Sequence, residues 1–345
     1  MAIDPIQLTR QLVDIDSTTY HEGRVGDFLA HYMEQQGYVV ELQEVAQPDL
    51  AKNPHAGTGP RFNVYASPPG VTPDLVFSSH MDTVPPFLGP CREDAERLYG
   101  RGACDAKGII AAQIAAAERL IAAGKRIALL YVVGEERDSA GAVVANQTPK
   151  GSRFLINGEP TENRLALASK GCLRVELQAH GKMAHSAYPE LGESAIDKLL
   201  DALRDIKSLH LPVIEGIGDC TLNIGVVRGG VAPNVISDSA EAQILIRLVG
   251  PAEEMEEAVL GAVAGRCEVR FTLKLPYLRM RPVAGFETMV AKFTTDIPSL
   301  TAWGEPFLLG PGSILVAHTP AEYIRKSELL ESVDLYVKLA NSLLG

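Results

Sequence analysis

Four apolar stretches of the sequence run into residues that commonly bind metal ions. LVFSSH ends at His80, ALLYVVGEE at Glu135 and Glu136, FLINGE at Glu159, and SILVAH at His318. In an open α/β sheet, ligands bind beyond the carboxyl ends of the strands, so these side chains are expected to meet in one crevice. The pattern therefore predicts a metal-dependent hydrolase.

Two more acidic residues strengthen this prediction. Asp82 lies two residues after His80, where a carboxylate can orient the second nitrogen of a metal-binding imidazole. Asp105 lies in the glycine-rich turn GRGACDAKG before a predicted helix, where an isolated Asp is more often a helix N-cap. Adjacent carboxylates at Glu135 and Glu136 are costly at the end of a buried strand unless cations or hydrogen bonds compensate them. Since neighbouring side chains point to different sides, one can bind metal while the other handles a proton.

The elements around these residues predict an α/β fold. In the first half, strands alternate with loops and helices, including an alanine-rich helix over roughly 107–123, which indicates a mostly parallel sheet covered by helices. From about Ser169 the order becomes β-α-β-β-α-β, which is typical of a ferredoxin-like domain. After Leu278, SILVAH predicts a further strand of the first domain, and residues 322–344 predict a closing helix.

The length of 345 residues exceeds what one hydrophobic core usually serves. We therefore predict a catalytic metal-binding domain made of residues 1–168 and 279–345. Residues 169–278 are predicted to form an inserted domain.

Composition excludes several other classes of function. The net charge of −11, with 43 acidic and 32 basic residues, argues against binding to nucleic acid or to an anionic membrane. No stretch is apolar for long enough to span a bilayer, and the N-terminal residues do not resemble a secretion signal. Five scattered cysteines without a C-x-x-C pair predict neither a disulfide framework nor a thiolate zinc site. We therefore expect a cytoplasmic protein.

Five motifs closely resemble one family of enzymes. SSHMDTVP, GRGACDAKG, GEERDSAGA, NGEPT and GKMAHSAYPELGESA are similar, in order and over nearly the whole chain, to the co-catalytic zinc amidohydrolases. This family includes acetylornithine deacetylase, succinyl-diaminopimelate desuccinylase, aminoacylase and glutamate carboxypeptidase. The resemblance implies two Zn²⁺ ions per subunit, which Co²⁺ or Mn²⁺ can replace, in the larger domain. It also implies that the smaller domain is a lid that forms a homodimer.

Carried over by position, the resemblance assigns a role to each metal ligand. Asp105 would bridge both ions, His80 and Glu159 would bind one of them, and Glu136 and His318 would bind the other. The His318 assignment rests on the loosest motif, GPGSILVAHTPAEY. Two zinc ions roughly 3.5 to 4 Å apart can share a water, lower its pKa and polarise a scissile carbonyl.

The remaining site residues also follow from the resemblance. Asp82 would orient His80, and Glu135 would be the general base that moves a proton from water to the leaving nitrogen. His185 would donate to the oxyanion from the partner subunit, although an ordinary surface histidine is the alternative. Asn234 and Arg247 would bind the substrate. The guanidinium group of Arg247 would form two hydrogen bonds with a substrate carboxylate, and a salt bridge of Arg247 within the sheet is the alternative.

The leading hypothesis is a zinc-dependent amidohydrolase that removes the N-acyl group from a small amino acid, as acetylornithine or acetyl-lysine deacetylase does in amino-acid biosynthesis. The same chemistry would serve a dipeptidase or carboxypeptidase, so an N-acyl-amino acid or a dipeptide is the expected substrate. A non-catalytic metal-binding relative is a further alternative. A two-metal phosphoesterase is disfavoured because the sequence has no P-loop glycine pattern with its lysine.

Overall fold

The computed structural model describes residues 3–49, 51 and 57–345. The sequence from 47 to 60 is rich in proline and glycine, which predicts a loop, and this segment lies partly outside the described residues. The chain divides into two compact units. The first contains the described residues up to Leu167, with Met280–Met289 and Thr295–Gly345, and the second contains Ala168–Arg279 and Val290–Thr294. Residues 290–294, which the sequence analysis placed in the catalytic domain, cluster with the second unit because Val290 packs against its core and Lys170 N–H donates to Ala291 O.

The alanine-rich helix predicted over roughly 107–123 is present at Lys107–Ala122. The carboxylate of Asp4 accepts the N–H of Ile6 and of Gln7, which starts the first helix. In the described part of the chain the α-helices are α1 (Pro5–Val13), α2 (Gly23–Gln35), α3 (Lys107–Ala122), α4 (Ala140–Ala145), α5 (Ala195–Lys207), α6 (Ala252–Val263) and α7 (Lys326–Leu344).

The strands form a six-stranded sheet in the first unit, a four-stranded sheet in the second, and several sheets of two or three short strands. In chain order they are β1 (Val39–Glu44), β2 (Phe62–Ser67), β3 (Leu75–His80), β4 (Arg92–Glu93), β5 (Arg97–Tyr99), β6 (Ile127–Val132), β7 (Phe154–Asn157), β8 (Leu165–Ser169), β9 (Gly171–His180), β10 (Ala184–His185), β11 (Val213–Ile214), β12 (Gly218–Asp219), β13 (Thr221–Gly229), β14 (Val235–Ile236), β15 (Ser239–Leu248), β16 (Glu268–Leu275), β17 (Leu278–Arg279), β18 (Thr288–Ala291), β19 (Glu305–Leu308) and β20 (Tyr323–Arg325).

The central sheet of the first unit has the order β1-β2-β6-β3-β7-β19. Strands β6, β3, β7 and β19 are parallel, and β1 and β2 are joined to them by antiparallel pairing. Every residue of β3 and β6 is buried. Phe77 packs on one face against Tyr336 of α7, whereas Val76 lies in the core of the opposite face with Trp303. This mostly parallel sheet with both faces covered is the predicted fold class.

One predicted strand is wrong. The segment SILVAH forms turns between Gly312 and His318, and the strand at this edge of the sheet is β19, several residues earlier. Leu315 in the middle of the apolar run is 81% exposed, so the run does not have the burial that its composition indicates. The closing helix α7 also begins at Lys326 rather than at residue 322, because β20 comes first.

The second unit has the predicted β-α-β-β-α-β order, made by β9, α5, β13, β15, α6 and β16. Its antiparallel sheet has the order β13-β15-β9-β16, which is the strand order of a ferredoxin-like domain. Alternate residues of β9, such as Leu173 and Val175, share a core with residues of α5 and α6 such as Leu199 and Val259. Among the described residues, no helix has the length and apolar character needed to cross a membrane.

Candidate metal centre

Asp105 lies between two histidines in the first unit. Its Oδ1 atom is 3.0 Å from Nε2 of His80, and its Oδ2 atom is 3.3 Å from Nε2 of His318. His80 is the last residue of β3, and Asp105 lies in the glycine-rich turn just before α3. Each oxygen of one carboxylate therefore faces a different imidazole, as expected of a group that bridges two cations.

Glu136 lies beside His318, and Glu159 lies near His80. Glu136 Oε1 is 3.0 Å from Nε2 of His318, and Glu159 Oε1 is 4.0 Å from Nε2 of His80. One ligand atom from each of His80, Asp105 and Glu136 lies within 4.8 Å of the other two. The five side chains that the sequence analysis assigned as ligands thus occupy one site, in two groups that share Asp105.

The buried carboxylate of Asp82 organises the turn that carries both neighbouring glutamates. Its Oδ1 atom accepts the N–H of Glu135 at 3.0 Å, and its Oδ2 atom accepts the N–H of Glu136 at 3.3 Å and the hydroxyl of Thr19 at 2.8 Å. Its contact with His80 is less direct than predicted, since Nδ1 of His80 is 3.0 Å from the backbone oxygen of Asp82 and 3.6 Å from the carboxylate. Asp82 therefore fixes the Glu135–Glu136 turn as well as the His80 ring.

The acidic groups of the site have strongly shifted pKa values. Burial raises the pKa of Glu135 and of Glu159 well above the usual value, and the charges of neighbouring acids add to this effect. Burial also raises the pKa of Glu136, and the hydrogen bond to His318 offsets only part of this shift. Asp105 differs because its hydrogen bonds to the two histidines outweigh burial and hold its pKa below the ordinary value. The same contacts, with Asp105 first and Glu136 second, raise the pKa of His318 to about 10.

The residues of this cluster fit a metal centre. Glu159 Oε1 is buried and has no hydrogen-bond partner in the described part of the chain. A buried carboxylate oxygen without a partner is unfavourable, and a cation would compensate it. Imidazole nitrogens and carboxylate oxygens are also the donors that hold catalytic zinc. Both the charge and the chemistry of the cluster therefore suit divalent cations.

The sequence analysis missed three residues that hold this site in place. Thr19 binds Asp82, as described above, and Glu322 accepts backbone N–H groups from the turn that carries Asp105. Arg101 forms a buried ion pair with Glu322, with 2.5 Å between Nη1 and Oε2. Arg101 is part of the GRGACDAKG motif and Glu322 follows His318 by four residues, but nothing in either motif indicates that the two side chains meet.

His185, the predicted oxyanion donor, and Asn234, which was predicted to bind substrate, lie close together in the second unit. His185 is an exposed residue of β10, which pairs with β14, and its Nδ1 atom accepts the N–H of Ala187 at 3.1 Å. Asn234 is exposed just before β14, and its backbone oxygen accepts the N–H of Ser186 at 3.0 Å. Both side chains are therefore accessible within their own unit.

Arg247 lies near the end of β15, where it is half-buried. Its Nη1 atom is 3.5 Å from Oγ1 of Thr294. Within the described residues, none of the ion pairs involves Arg247, so the salt bridge that was the alternative interpretation is not observed there. Most donors of its guanidinium group remain available for a ligand.

The fold and the cluster together define a class of protein, the metal-dependent hydrolases. The model of the family described as Peptidase family M20/M25/M40 matches residues 76–342, and the chain belongs to this family. It is therefore a metal-dependent hydrolase that acts on amide bonds. This family contains the carboxypeptidases and dipeptidases that the sequence analysis kept as an alternative, and the comparisons do not single out a deacetylase.

Similar proteins extend over almost the whole chain. A peptidase M20 domain-containing protein of Schizosaccharomyces pombe is 38% identical over 344 residues, which cover 97% of this chain and 83% of that protein. A probable carboxypeptidase of Paracoccidioides brasiliensis is 37% identical over 378 aligned positions, covering 98% of this chain and 85% of that protein. A tripeptidase from Staphylococcus aureus has the same fold, with a TM-score of 0.77, 21% identity, and coverage of 99% of this chain and 100% of that one.

Proposed function

We propose that this protein is a two-zinc exopeptidase of the carboxypeptidase type, which releases the C-terminal residue of a short peptide. The observation that carries this proposal is the position of Asp105, whose two carboxylate oxygens face different histidines. His80 and Glu159 would bind one ion, His318 and Glu136 would bind the other, and Asp105 would bind both. The similarity to a probable carboxypeptidase over 98% of the chain supports the choice of substrate.

The side chains of the site divide the chemistry between them. When bound, the two ions would polarise the scissile carbonyl and make a water more acidic. Glu135 would accept a proton from the attacking water and deliver it to the departing nitrogen, because a carboxylate with a raised pKa can hold a proton between the two transfers. Asp82 would keep Glu135 in place through the 3.0 Å hydrogen bond to its backbone N–H.

Residues of the second unit would recognise the rest of the substrate. A guanidinium group forms two parallel hydrogen bonds with a carboxylate, and Arg247 has donors available for the C-terminal carboxylate of a peptide. Asn234 would contact the substrate backbone. His185, which is exposed on β10, would donate a hydrogen bond to the tetrahedral oxyanion from the partner subunit of a homodimer.

The second candidate is the removal of an N-acyl group from a small amino acid, as in acetylornithine or acetyl-lysine deacetylation. An N-acyl-amino acid carries the same amide and the same free carboxylate as the C-terminal end of a peptide. The groups assigned to Glu135 and Arg247 would therefore serve both substrates, and the side-chain and acyl preferences decide between them.

A substrate panel tests the proposal. The zinc-loaded or cobalt-loaded protein is given dipeptides, tripeptides, the same peptides with an amidated C-terminus, and the N-acetyl and N-succinyl derivatives of ornithine, lysine and diaminopimelate. We expect the highest kcat/KM on peptides with a free C-terminus, and a large loss on the amidated forms. Higher kcat/KM on the acylated amino acids would replace the carboxypeptidase assignment by the deacylase.

A further inference from the structure

We propose that the buried pair Arg101–Glu322 is a positioning device that holds two separate metal-binding segments in register, one carrying Asp105 and the other carrying His318. This inference rests on the proposed two-metal site. It assigns a role to two residues that donate no ligand atom in the proposed site.

The carboxylate of Glu322 holds the backbone of the Asp105 turn. Its Oε1 atom accepts the N–H groups of Gly102, Cys104 and Asp105 at 2.9, 3.2 and 3.2 Å. Its Oε2 atom accepts Nη1 of Arg101, the first residue of the same turn, at 2.5 Å. Four donors within five consecutive residues therefore point at one side chain that is about 220 positions later in the chain.

Arg101 holds the second segment, which follows His318. Its Nη1 atom also donates to the backbone oxygen of Thr319 at 3.3 Å, and the N–H of Gly100 donates to the backbone oxygen of Glu322 at 3.1 Å. His318 has a φ of 62°, in the left-handed region that a non-glycine residue adopts only when its surroundings hold it. The contacts of the next residue, Thr319, with Arg101 supply part of that support.

The burial and charge of the pair indicate a function other than stability. Arg101 is 2% exposed and Glu322 is 1% exposed, and a buried ion pair is often no more stable than apolar residues of the same volume. Burial and the charge of nearby Asp105 raise the pKa of Glu322, so a carboxylate at this position is unfavourable even with Arg101 as its partner. The unfavourable free energy of burying this pair is explained if the pair fixes the distance between Asp105 and His318, because groups that orient metal ligands strongly affect metal affinity.

The test uses Co²⁺ as the probe on the full chain, with the visible absorption of the bound ion reporting ligand geometry. The variants are Glu322→Gln, which keeps an oxygen acceptor for the backbone N–H groups, and Glu322→Ala, which removes it. Met33→Ala is the matched control, because Met33 is fully buried in the hydrophobic core and belongs to α2, a helix that carries no proposed ligand. Melting temperature is measured on the metal-free form of each protein.

We expect a graded result. Glu322→Ala should weaken Co²⁺ binding by about 10- to 100-fold and change the visible spectrum, and Glu322→Gln should lie between it and the wild type. Met33→Ala should lower the melting temperature without changing the affinity or the spectrum. If Glu322→Ala does not fold, Arg101→Lys takes its place. This variant keeps the positive charge but lacks the planar guanidinium group, and it should change the visible spectrum in the same way.

Two results would overturn the inference, and both differ from failure of the proposed function. The inference is wrong if the wild type binds two Co²⁺ ions and Glu322→Ala, or Arg101→Lys in its place, binds them with unchanged affinity and spectrum. It is also wrong if Glu322→Ala and Met33→Ala lower the melting temperature equally and also lower the Co²⁺ affinity equally. A wild-type protein that binds fewer than two ions would instead contradict the proposed two-metal site.

Discussion

Glu135 and Glu136 are neighbours in the chain, but the structure supports different roles for them. Glu136 lies 3.0 Å from His318, whereas burial and the charge of Glu159 make Glu135 a strong proton acceptor. We predict that Glu135→Gln keeps two bound Co²⁺ ions and lowers kcat by about 10²- to 10⁴-fold. Glu136→Gln should lose metal affinity instead. Metal titration and steady-state kinetics check both variants, and a wild type as inactive as Glu135→Gln on every substrate would favour a non-catalytic relative.

Asp296 is a buried residue whose carboxylate forms no ion pair among the described residues. Burial raises its pKa to about 7 from 3.8. The folded state therefore binds the proton more tightly than the unfolded state, and the wild type loses stability as the pH rises from about 4 to about 7. Asp296→Asn removes this loss, so its stability relative to the wild type should increase over that range by at most about 4 kcal/mol.

Urea unfolding of the metal-free proteins at several pH values measures this difference. Asp74→Asn is the control, because Asp74 is paired with Arg126 and its pKa is lowered rather than raised. Its stability relative to the wild type should not increase between pH 4 and 7. Parallel pH profiles for Asp296→Asn and the wild type would contradict the prediction.

At the residue scale, the sequence indicated the residues proposed to bind metal, but it did not indicate the residues that position them. His80 and Glu159 are polar residues at the ends of apolar runs, and Asp105 lies in a glycine-rich turn before a helix, so their types and places already indicate metal binding. Thr19 and Glu322 act through hydrogen bonds to residues 63 and about 220 positions away. Such contacts depend on the three-dimensional fold, and a single sequence carries no periodic signal for them.

At the scale of elements, the parallel strands were predicted well because each contains an apolar run, and every residue of β3 and β6 is buried. SILVAH has the same composition but follows Gly310, Pro311 and Gly312. Gly312 has a φ of 81°, and a Cβ atom there would lie 2.6 Å from Sγ of Cys104, so the chain turns at this point. An apolar run alone does not distinguish a buried strand from a loop that passes beside a site.

The buried pair Glu22–Arg61 joins the start of α2 to the residue before β2. Arg61 donates to Glu22 from Nε and from Nη2, each at 3.1 Å, and both side chains are almost completely buried. We predict that Arg61→Met lowers the free energy of unfolding by about 3–5 kcal/mol, because Glu22 is left charged and buried without a partner. Urea unfolding at neutral pH measures this change.

The exposed pair Arg119–Asp334 provides the control for that measurement. Its side chains are 56% and 76% exposed, so Arg119→Met should change the free energy of unfolding by less than about 1 kcal/mol. The double variant Arg61→Met with Glu22→Leu should recover much of the lost stability, since the unpaired charge is removed. Equal effects of Arg61→Met and Arg119→Met would show that the buried pair is not held as described.

At the scale of the whole molecule, the proposed ligands belong to the first unit, and His185, Asn234 and Arg247 belong to the second. The change from a mostly parallel to a ferredoxin-like order of elements was visible in the sequence, because side-chain periodicity and element length change together near Ser169. The short segment 290–294 was not assigned to the second unit, since its few residues have no pattern of their own. His185 is proposed to act from a partner subunit, so a test of this role requires two chains that carry different substitutions.

Mixed dimers test whether His185 acts in trans. Glu135→Gln and His185→Ala should each be nearly inactive as pure proteins. If the oxyanion donor comes from the partner, co-expression of the two variants creates dimers in which one site combines an intact Glu135 with the intact His185 of the other chain. Random pairing should then restore about a quarter of the wild-type activity. If His185 acts within its own chain, every site in the mixture lacks one of the two groups, and activity stays at the level of the parent variants.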